Sequence, residues 1–230
     1  MGGIFVTGTD TGIGKTVVTG LLAKFLDDQG YKVVTQKWVE TGTEGFSKDV
    51  SLHLKLLGRD KKDLKNYLND ISPYTFKFPS SPHLGSSLEK KKINIEKIKV
   101  SFKSLTKAFD FVIVEGVGGA LVPLNKKKLV IDLAKELNLA ALIVVGNKLG
   151  AINHTLLTIE ALRARKIKII GIVFNHLGDK GSSMILKDNP KIIEAISGSK
   201  SLGNLPWTKD KDSLYKSFKK IGKKILSNLK

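Results

Sequence analysis

Residues 8–16, Gly-Thr-Asp-Thr-Gly-Ile-Gly-Lys-Thr, are of the types that hold a nucleotide's phosphates. The stretch follows the apolar run Ile4-Phe5-Val6 and opens an apolar-periodic run from Val17 to Leu26, so it falls between a strand and a helix. Glycines let the backbone curl so that successive N–H groups face an anion, and the helix N-terminus adds its dipole. Lys15 can reach the β- and γ-phosphates, and the Thr16 hydroxyl can ligate Mg²⁺. The spacing is unusual: five residues separate Gly8 from Gly14, one more than in the common loop, and Thr9 stands where a glycine is usual.

Two other segments can complete such a site. In Val-Glu-Gly-Val-Gly-Gly, residues 114–119, a carboxylate at a strand end is followed by glycines. Glu115 there suits a second Mg²⁺ contact, directly or through water, and Gly116, Gly118 and Gly119 allow close backbone approach to a substrate. In Lys-Trp-Val-Glu-Thr-Gly, residues 37–42, Lys37 can neutralise charge on a transferred phosphoryl group, and Thr41 and Gly42 offer a hydroxyl and an N–H. Glu40 is left without a role. Asp49 reads equally as a third metal contact and as an acid placed by the dipole of a helix N-terminus. His53, His83, His154 and His176 have no metal-ligand spacing, and no Gly-x-Ser-x-Gly elbow is present.

The elements that must position these residues alternate along the chain. Apolar, β-branched-rich runs at 3–7, 32–36, 111–115, 140–146 and 168–175 predict strands. Segments 15–29, 48–57, 94–109, 129–137, 151–165 and 210–229 predict helices. That alternation predicts an α/β fold with a mostly parallel sheet covered on both faces. Ligands of such sheets bind beyond the carboxyl ends of the strands, which brings the glycine-rich loop, Lys37, Glu115, the segment after Gly146 and Asn175 toward one crevice. Residues 58–93, with Pro73, Pro79 and Pro82, are the least regular and predict an excursion over one edge of the site.

Composition narrows the classes. The 230 residues fit one large α/β domain, and 41% hydrophobic residues are enough for a core. The absence of cysteine excludes disulfides and thiolate metal sites. The chain opens on a strand without a charged leader, and no apolar run is long enough to span a bilayer, so a cytoplasmic protein without membrane attachment is expected. A net charge of +18 raises the question of nucleic acid. Only Arg59, Arg163 and Arg165 are arginines, the lysines are scattered, and no nucleic-acid motif is present, so no nucleic-acid partner is expected. The last helix carries Leu214, Phe218, Ile221 and Ile225 on one face, with Lys216, Lys219, Lys220, Lys223 and Lys224 largely opposite. This reads as a helix packed on the domain with a wet lysine face rather than a membrane-surface helix.

Six segments, in order, resemble the dethiobiotin synthetase family. They are the loop at 8–16 with its extra residue, Lys-Trp-Val-Glu-Thr-Gly, the stretch at 72–83, Val-Glu-Gly-Val-Gly-Gly with Pro123-Leu124, the long match at 144–158, and Gly-Asn-Leu-Pro-Trp at 203–207. Trp38 departs from the proline usual after the lysine, and His176 stands where aspartate is common. The resemblance implies a single P-loop NTPase-type domain over residues 1–230 using ATP and Mg²⁺. It implies carboxylation of 7,8-diaminononanoate by CO₂, phosphorylation of the carbamate by ATP, and ring closure to dethiobiotin, ADP and phosphate. It implies that Thr9, Asp10, Thr11, Gly12, Ile13, Gly14, Lys15, Thr16 and Val17 surround the phosphates, with Lys15, Lys37 and Thr11 taking part in catalysis. By the same resemblance Thr16, Asp49 and Glu115 organise Mg²⁺, Thr41 and Gly118 meet the substrate, and Asn175 and Pro206 lie at the adenine. A homodimer is implied, with Asn153 holding the substrate carboxylate in the partner's site.

Two other readings compete. A cobyrinate-type amide ligase needs a glutaminase domain with a catalytic cysteine, which this chain lacks. A ParA/MinD-like positioning ATPase, binding DNA, membrane or protein partners, carries an extra lysine early in its phosphate loop; here that stretch is Gly8-Thr9-Asp10.

Overall fold

The computed structural model describes residues 2–178 and 182–229. Strand β1 (Gly3–Gly8) leads through the glycine-rich loop into helix α1 (Lys15–Asp28). Strands β2 (Val33–Lys37) and β3 (Val39–Thr41) follow, and α2 (Lys48–Leu57) packs back against α1. A 3₁₀ stretch (Lys61–Tyr67), α3 (Leu68–Ile71), β4 (Tyr74–Phe76) and α4 (Pro82–Leu88) make up the irregular excursion. Helix α5 (Ile95–Ala108) then leads into β5 (Phe111–Glu115). A short antiparallel pair, β6 (Pro123–Asn125) and β7 (Lys128–Leu129), precedes α6 (Val130–Glu136). The chain continues as β8 (Ala140–Gly146), α7 (Ala151–Ala164), β9 (Ile169–Asn175), α8 (Ser183–Ser197), β10 (Ser201–Leu205) and α9 (Lys211–Leu229).

Six of the strands form one parallel sheet in the order β10-β9-β8-β1-β5-β2. The five strands anticipated from apolar runs are all in it. The sixth, β10, is an edge strand of sequence Ser-Leu-Gly-Asn-Leu, without a β-branched residue to announce it. Along β1 the side chains alternate between two cores, because successive residues of a strand point to opposite faces. Ile4 and Val6 join the core under α1 and α9; Phe5 joins the larger core on the other face. Both faces are therefore covered, which is why these strands read as continuous apolar runs.

The excursion lies over the C-terminal edge of β2. β3 pairs with β4, and α4 packs on β3. Trp38, between β2 and β3, is buried; its ring stacks on Phe5 with centroids 6.0 Å apart, and its Nε1 donates to Gln36 Oε1 at 2.9 Å. Trp38, next to Lys37 in the chain, thus fills the core at the end of β2. Helix α9 buries Phe218, Ile221 and Ile225 and leaves Lys216, Lys219, Lys220, Lys223 and Lys224 exposed, the packed terminal helix that its pattern indicated. Among the described residues no helix is long and apolar enough to cross a membrane.

Candidate functional site

The loop after β1 bends at two glycines that a side chain would strain. Gly12 has φ +70° and Gly14 has φ +94°, both left-handed. A Cβ on Gly14 would also lie 2.2 Å from Asn175 Nδ2, at the end of β9. Asn175 uses that nitrogen to donate to the Ile13 carbonyl at 2.9 Å, so the end of one strand braces the loop at the end of another. The loop's own backbone is partly committed. The Thr9 amide donates to the Val144 carbonyl at 3.2 Å, and the Thr11 amide to Asp10 Oδ1 at 2.7 Å.

Register explains how Lys37 and Glu115 meet. They are direct partners across the parallel β2–β5 pair, each the last residue of its strand. Lys37 Nζ lies 2.8 Å from Glu115 Oε1 and 2.7 Å from Asp49 Oδ2, and it donates to the Gly116 carbonyl at 3.0 Å. Thr16, in the first turn of α1, sets its Oγ1 3.1 Å from both Asp49 Oδ1 and Glu115 Oε1. Asp49 sits in the first turn of α2, where the helix dipole favours an acid, and its carboxylate also reaches Lys37 and Thr16.

Glu40, left open by the sequence, anchors α2. Its carboxylate accepts from the Ser47 hydroxyl and from the amides of Lys48 (3.2 Å) and Asp49 (3.3 Å). Ser47 is the N-cap, accepting from the Val50 amide at 3.0 Å. His53, one turn beyond Asp49, is fully buried and places Nε2 2.8 Å from Glu115 Oε2. Sequence spacing gave no hint of His53, because its partner is 62 residues away in the chain.

The charges follow from this packing. Burial opposes ionisation of Glu115, but the Lys37 ammonium and the His53 hydrogen bond outweigh it and hold the carboxyl down to about 2. Burial likewise opposes the charge on Lys37, and Glu115 and Asp49 raise it above the ordinary lysine range nonetheless. Lys15 is the exception. Burial first, then the nearby Lys37 ammonium, lower it to about 8. Its Nζ donates to the Asp10 carbonyl at 2.6 Å. Burial raises the Glu40 carboxyl.

Together these side chains line a cleft of about 260 Å³. Thr11, Gly12, Gly14, Lys15, Thr16, Lys37, Thr41, Asp49, Glu115 and Gly118 all border it, as does Glu40. The Thr41 hydroxyl donates to the Ser80 carbonyl at 2.7 Å, tying the excursion to the rim. Ile13 is buried behind the loop, and Val17 is half-buried in α1. Pro206 and Asn153 are exposed and do not border the cleft. A larger hollow of about 820 Å³ lies against α4 and the β6–β7 pair, but it carries lysines without a carboxylate. The clustered lysines and carboxylates border the smaller cleft.

A parallel sheet whose β1 runs into a lysine-bearing phosphate loop, facing two carboxylates at neighbouring element ends, defines a P-loop NTPase-type protein. A family model described as an AAA domain matches residues 2–213. The ATP-dependent dethiobiotin synthetase BioD of Chlorobaculum tepidum is 39% identical over 87% of this chain and 83% of its own length. That of Methanococcus vannielii is 37% identical over 95% of this chain and 98% of its own. The chain belongs to the dethiobiotin synthetase family. Among solved structures, the cell-division ATPase MinD of Pyrococcus furiosus has a TM-score of 0.61 at 21% identity, covering 99% of both chains. The pNOB8 ParA bound to nonspecific DNA has a TM-score of 0.61 at 14% identity, covering 99% of this chain and 98% of its own. At these identities the likeness is one of fold.

Proposed function

We propose that this chain is an ATP-dependent dethiobiotin synthetase, acting on 7,8-diaminononanoate and CO₂. The observation that carries the reading is the convergence of Lys15, Lys37, Thr16, Asp49 and Glu115 on one cleft, in a chain 37% identical over 95% of its length to a dethiobiotin synthetase. One amine of the substrate takes up CO₂ and loses a proton, giving a carbamate. A carbamate oxygen takes the γ-phosphoryl group of ATP, releasing ADP. The second amine then attacks the carbamoyl carbon and gives up a proton, phosphate leaves, and the cyclic urea closes.

Each residue's part follows from its position. Lys15 meets the β- and γ-phosphates, and its low pKa leaves it ready to be stabilised by their charge. Lys37, held at the strand end, offsets charge on the transferred phosphoryl group and the carbamate. Thr11 and Thr41 hydrogen-bond that region from the two rims, and the Gly118 backbone meets the substrate. Thr9, Asp10, Gly12, Ile13, Gly14 and Val17 shape the phosphate cradle; Asn175 and Pro206 serve the adenine side.

The Thr16, Asp49 and Glu115 oxygens fit Mg²⁺. They form an all-oxygen donor set whose two carboxylates already hold a cation, the Lys37 ammonium. Among the described residues no three His, Cys, Asp or Glu side chains cluster to hold a metal alone, which suits an ion completed by phosphate oxygens and water. Held by Thr16, Asp49 and Glu115, Mg²⁺ would neutralise part of the charge on the nucleotide's phosphates.

One domain spanning residues 1–230 carries the activity, working in the cytoplasm as a homodimer. The exposure of Asn153 on α7, next to the exposed Leu149 and Leu157, supports its service to a partner's site. The test is ADP release with MgATP and bicarbonate, with and without 7,8-diaminononanoate. Release that needs the diamine, with one dethiobiotin per ADP, is expected. Release indifferent to the diamine, and stimulated by DNA or lipid, would overturn the reading in favour of a positioning ATPase.

A further inference from the structure

We propose that His53 is a positioning residue for the metal-binding carboxylate Glu115, fixing which of its two oxygens faces the cleft. The proposal rests on the reading of Glu115 as a Mg²⁺ contact. A glutamate's terminal torsion is broad and roughly two-fold, so packing alone leaves the carboxylate free to rock. Here the two oxygens are divided. Oε1 faces Lys37 at 2.8 Å and Thr16 at 3.1 Å, while Oε2 is taken by His53 at 2.8 Å. An ionised carboxylate only accepts hydrogen bonds, so Nε2 carries the hydrogen between them.

The placement of the ring argues for a directed use. His53 has no exposed surface, and its Nδ1 has no hydrogen-bond partner among the described residues. An apolar side chain would fill that space without a stranded nitrogen, so packing does not account for an imidazole there. The backbone is arranged to bring it close. Asp49 and His53 are four residues apart on α2 and share a face, so one helix delivers both a cleft carboxylate and the partner of the other. Gly20 of α1 lets α2 approach: a Cβ there would lie 3.3 Å from His53 Cα and 2.5 Å from Leu56 Cδ1. Residues that orient metal ligands typically change metal affinity or activity about 10–100-fold when removed.

The test is Mn²⁺ binding in the presence of ADP, followed by electron paramagnetic resonance, on full-length protein. His53→Leu is expected to weaken Mn²⁺ about 10-fold or more while metal-free ADP binding in EDTA is unchanged. His53→Gln, whose amide can reach Glu115 Oε2, is expected to restore most of the affinity. Should His53→Leu fail to fold, His53→Asn takes its place, because its amide ends short of Oε2; the same weakening is expected. Unchanged Mn²⁺ affinity in His53→Leu or His53→Asn, with Glu115→Gln strongly weakened, overturns the positioning role alone. Unchanged affinity in Glu115→Gln as well overturns the metal reading beneath it.

Discussion

Lys37 and Glu115 are cross-strand partners whose side chains close into a buried ion pair, Nζ to Oε1 at 2.8 Å. Breaking a buried pair strands a charge, at about 3–5 kcal/mol. Lys37→Ala is therefore expected to destabilise the nucleotide-free protein by about that amount in denaturant titrations, and to nearly abolish turnover while ATP binding with Mg²⁺ is largely kept. A Lys37→Met/Glu115→Gln double variant neutralises the buried pair and leaves only the more exposed Asp49 carboxylate without its lysine, so it should regain part of the stability but none of the activity. A Lys37→Ala enzyme that kept most of its turnover would remove Lys37 from the transition state.

Lys15 predicts the opposite balance. Its folded pKa of about 8 lies below the ordinary 10.5, so the folded chain binds fewer protons than the unfolded chain between those values. Stability from this group therefore rises with pH from about 8 to 10.5 and is lowest below 8, where Lys15 is charged in both states. Lys15→Met should raise the melting temperature at pH 7 by roughly 2–8 °C, the equivalent of about 1–2 kcal/mol, and flatten that alkaline rise. Its affinity for ATP and its turnover should both fall sharply. Thermal scans of the two proteins across pH 7–10 measure the difference.

Glu40→Ala removes three acceptor contacts from the start of α2. A loss of about 1–2 kcal/mol is expected, as for a helix cap. Asp49 rides on that first turn, so the constant for Mg²⁺ activation should rise more than the KM for ATP. Equal changes in both would make Glu40 a stability residue only.

Trp38→Ala should cost about 3–5 kcal/mol, the usual loss for a large buried aromatic. The Phe5 ring and Gln36 lose their partner, at the chain position next to Lys37. Chemical denaturation and kcat measured together would show whether activity falls with stability or ahead of it.

Much of the site was legible because it sits at the ends of buried parallel strands. Continuous apolar runs announced β1, β2, β5, β8 and β9, and the polar residues after them marked the crevice. The glycine-rich loop, Lys37 and Glu115 stand out this way, whereas Asp49 stands out by its place near the start of a helix. The elements that escaped have physical reasons. β10 is an edge strand with Gly203 and Asn204 in place of branched residues, and α8 holds Pro190 inside its span, which breaks a helical reading. Glu40 and His53 escaped differently. Their roles are contacts made through folding, one to a helix start seven to nine residues on and one across 62 residues, and neither leaves a pattern in spacing.

The strand order also has a consequence for the growing chain. β1 is made before the other strands of its sheet yet lies between β5 and β8, so its two neighbours arrive only after residues 111–115 and 140–146 have been made. Until then the phosphate loop has no walls on either side, and the helix that follows it has no complete sheet to rest on. A nascent chain held on the ribosome short of residue 140 should not retain nucleotide, whereas one released beyond residue 175, where the Asn175 brace arrives, has every strand that borders the loop. The capacity to hold a triphosphate is thus expected only well after the glycine-rich loop itself has been made, because the strands that wall the loop follow it by about a hundred residues or more.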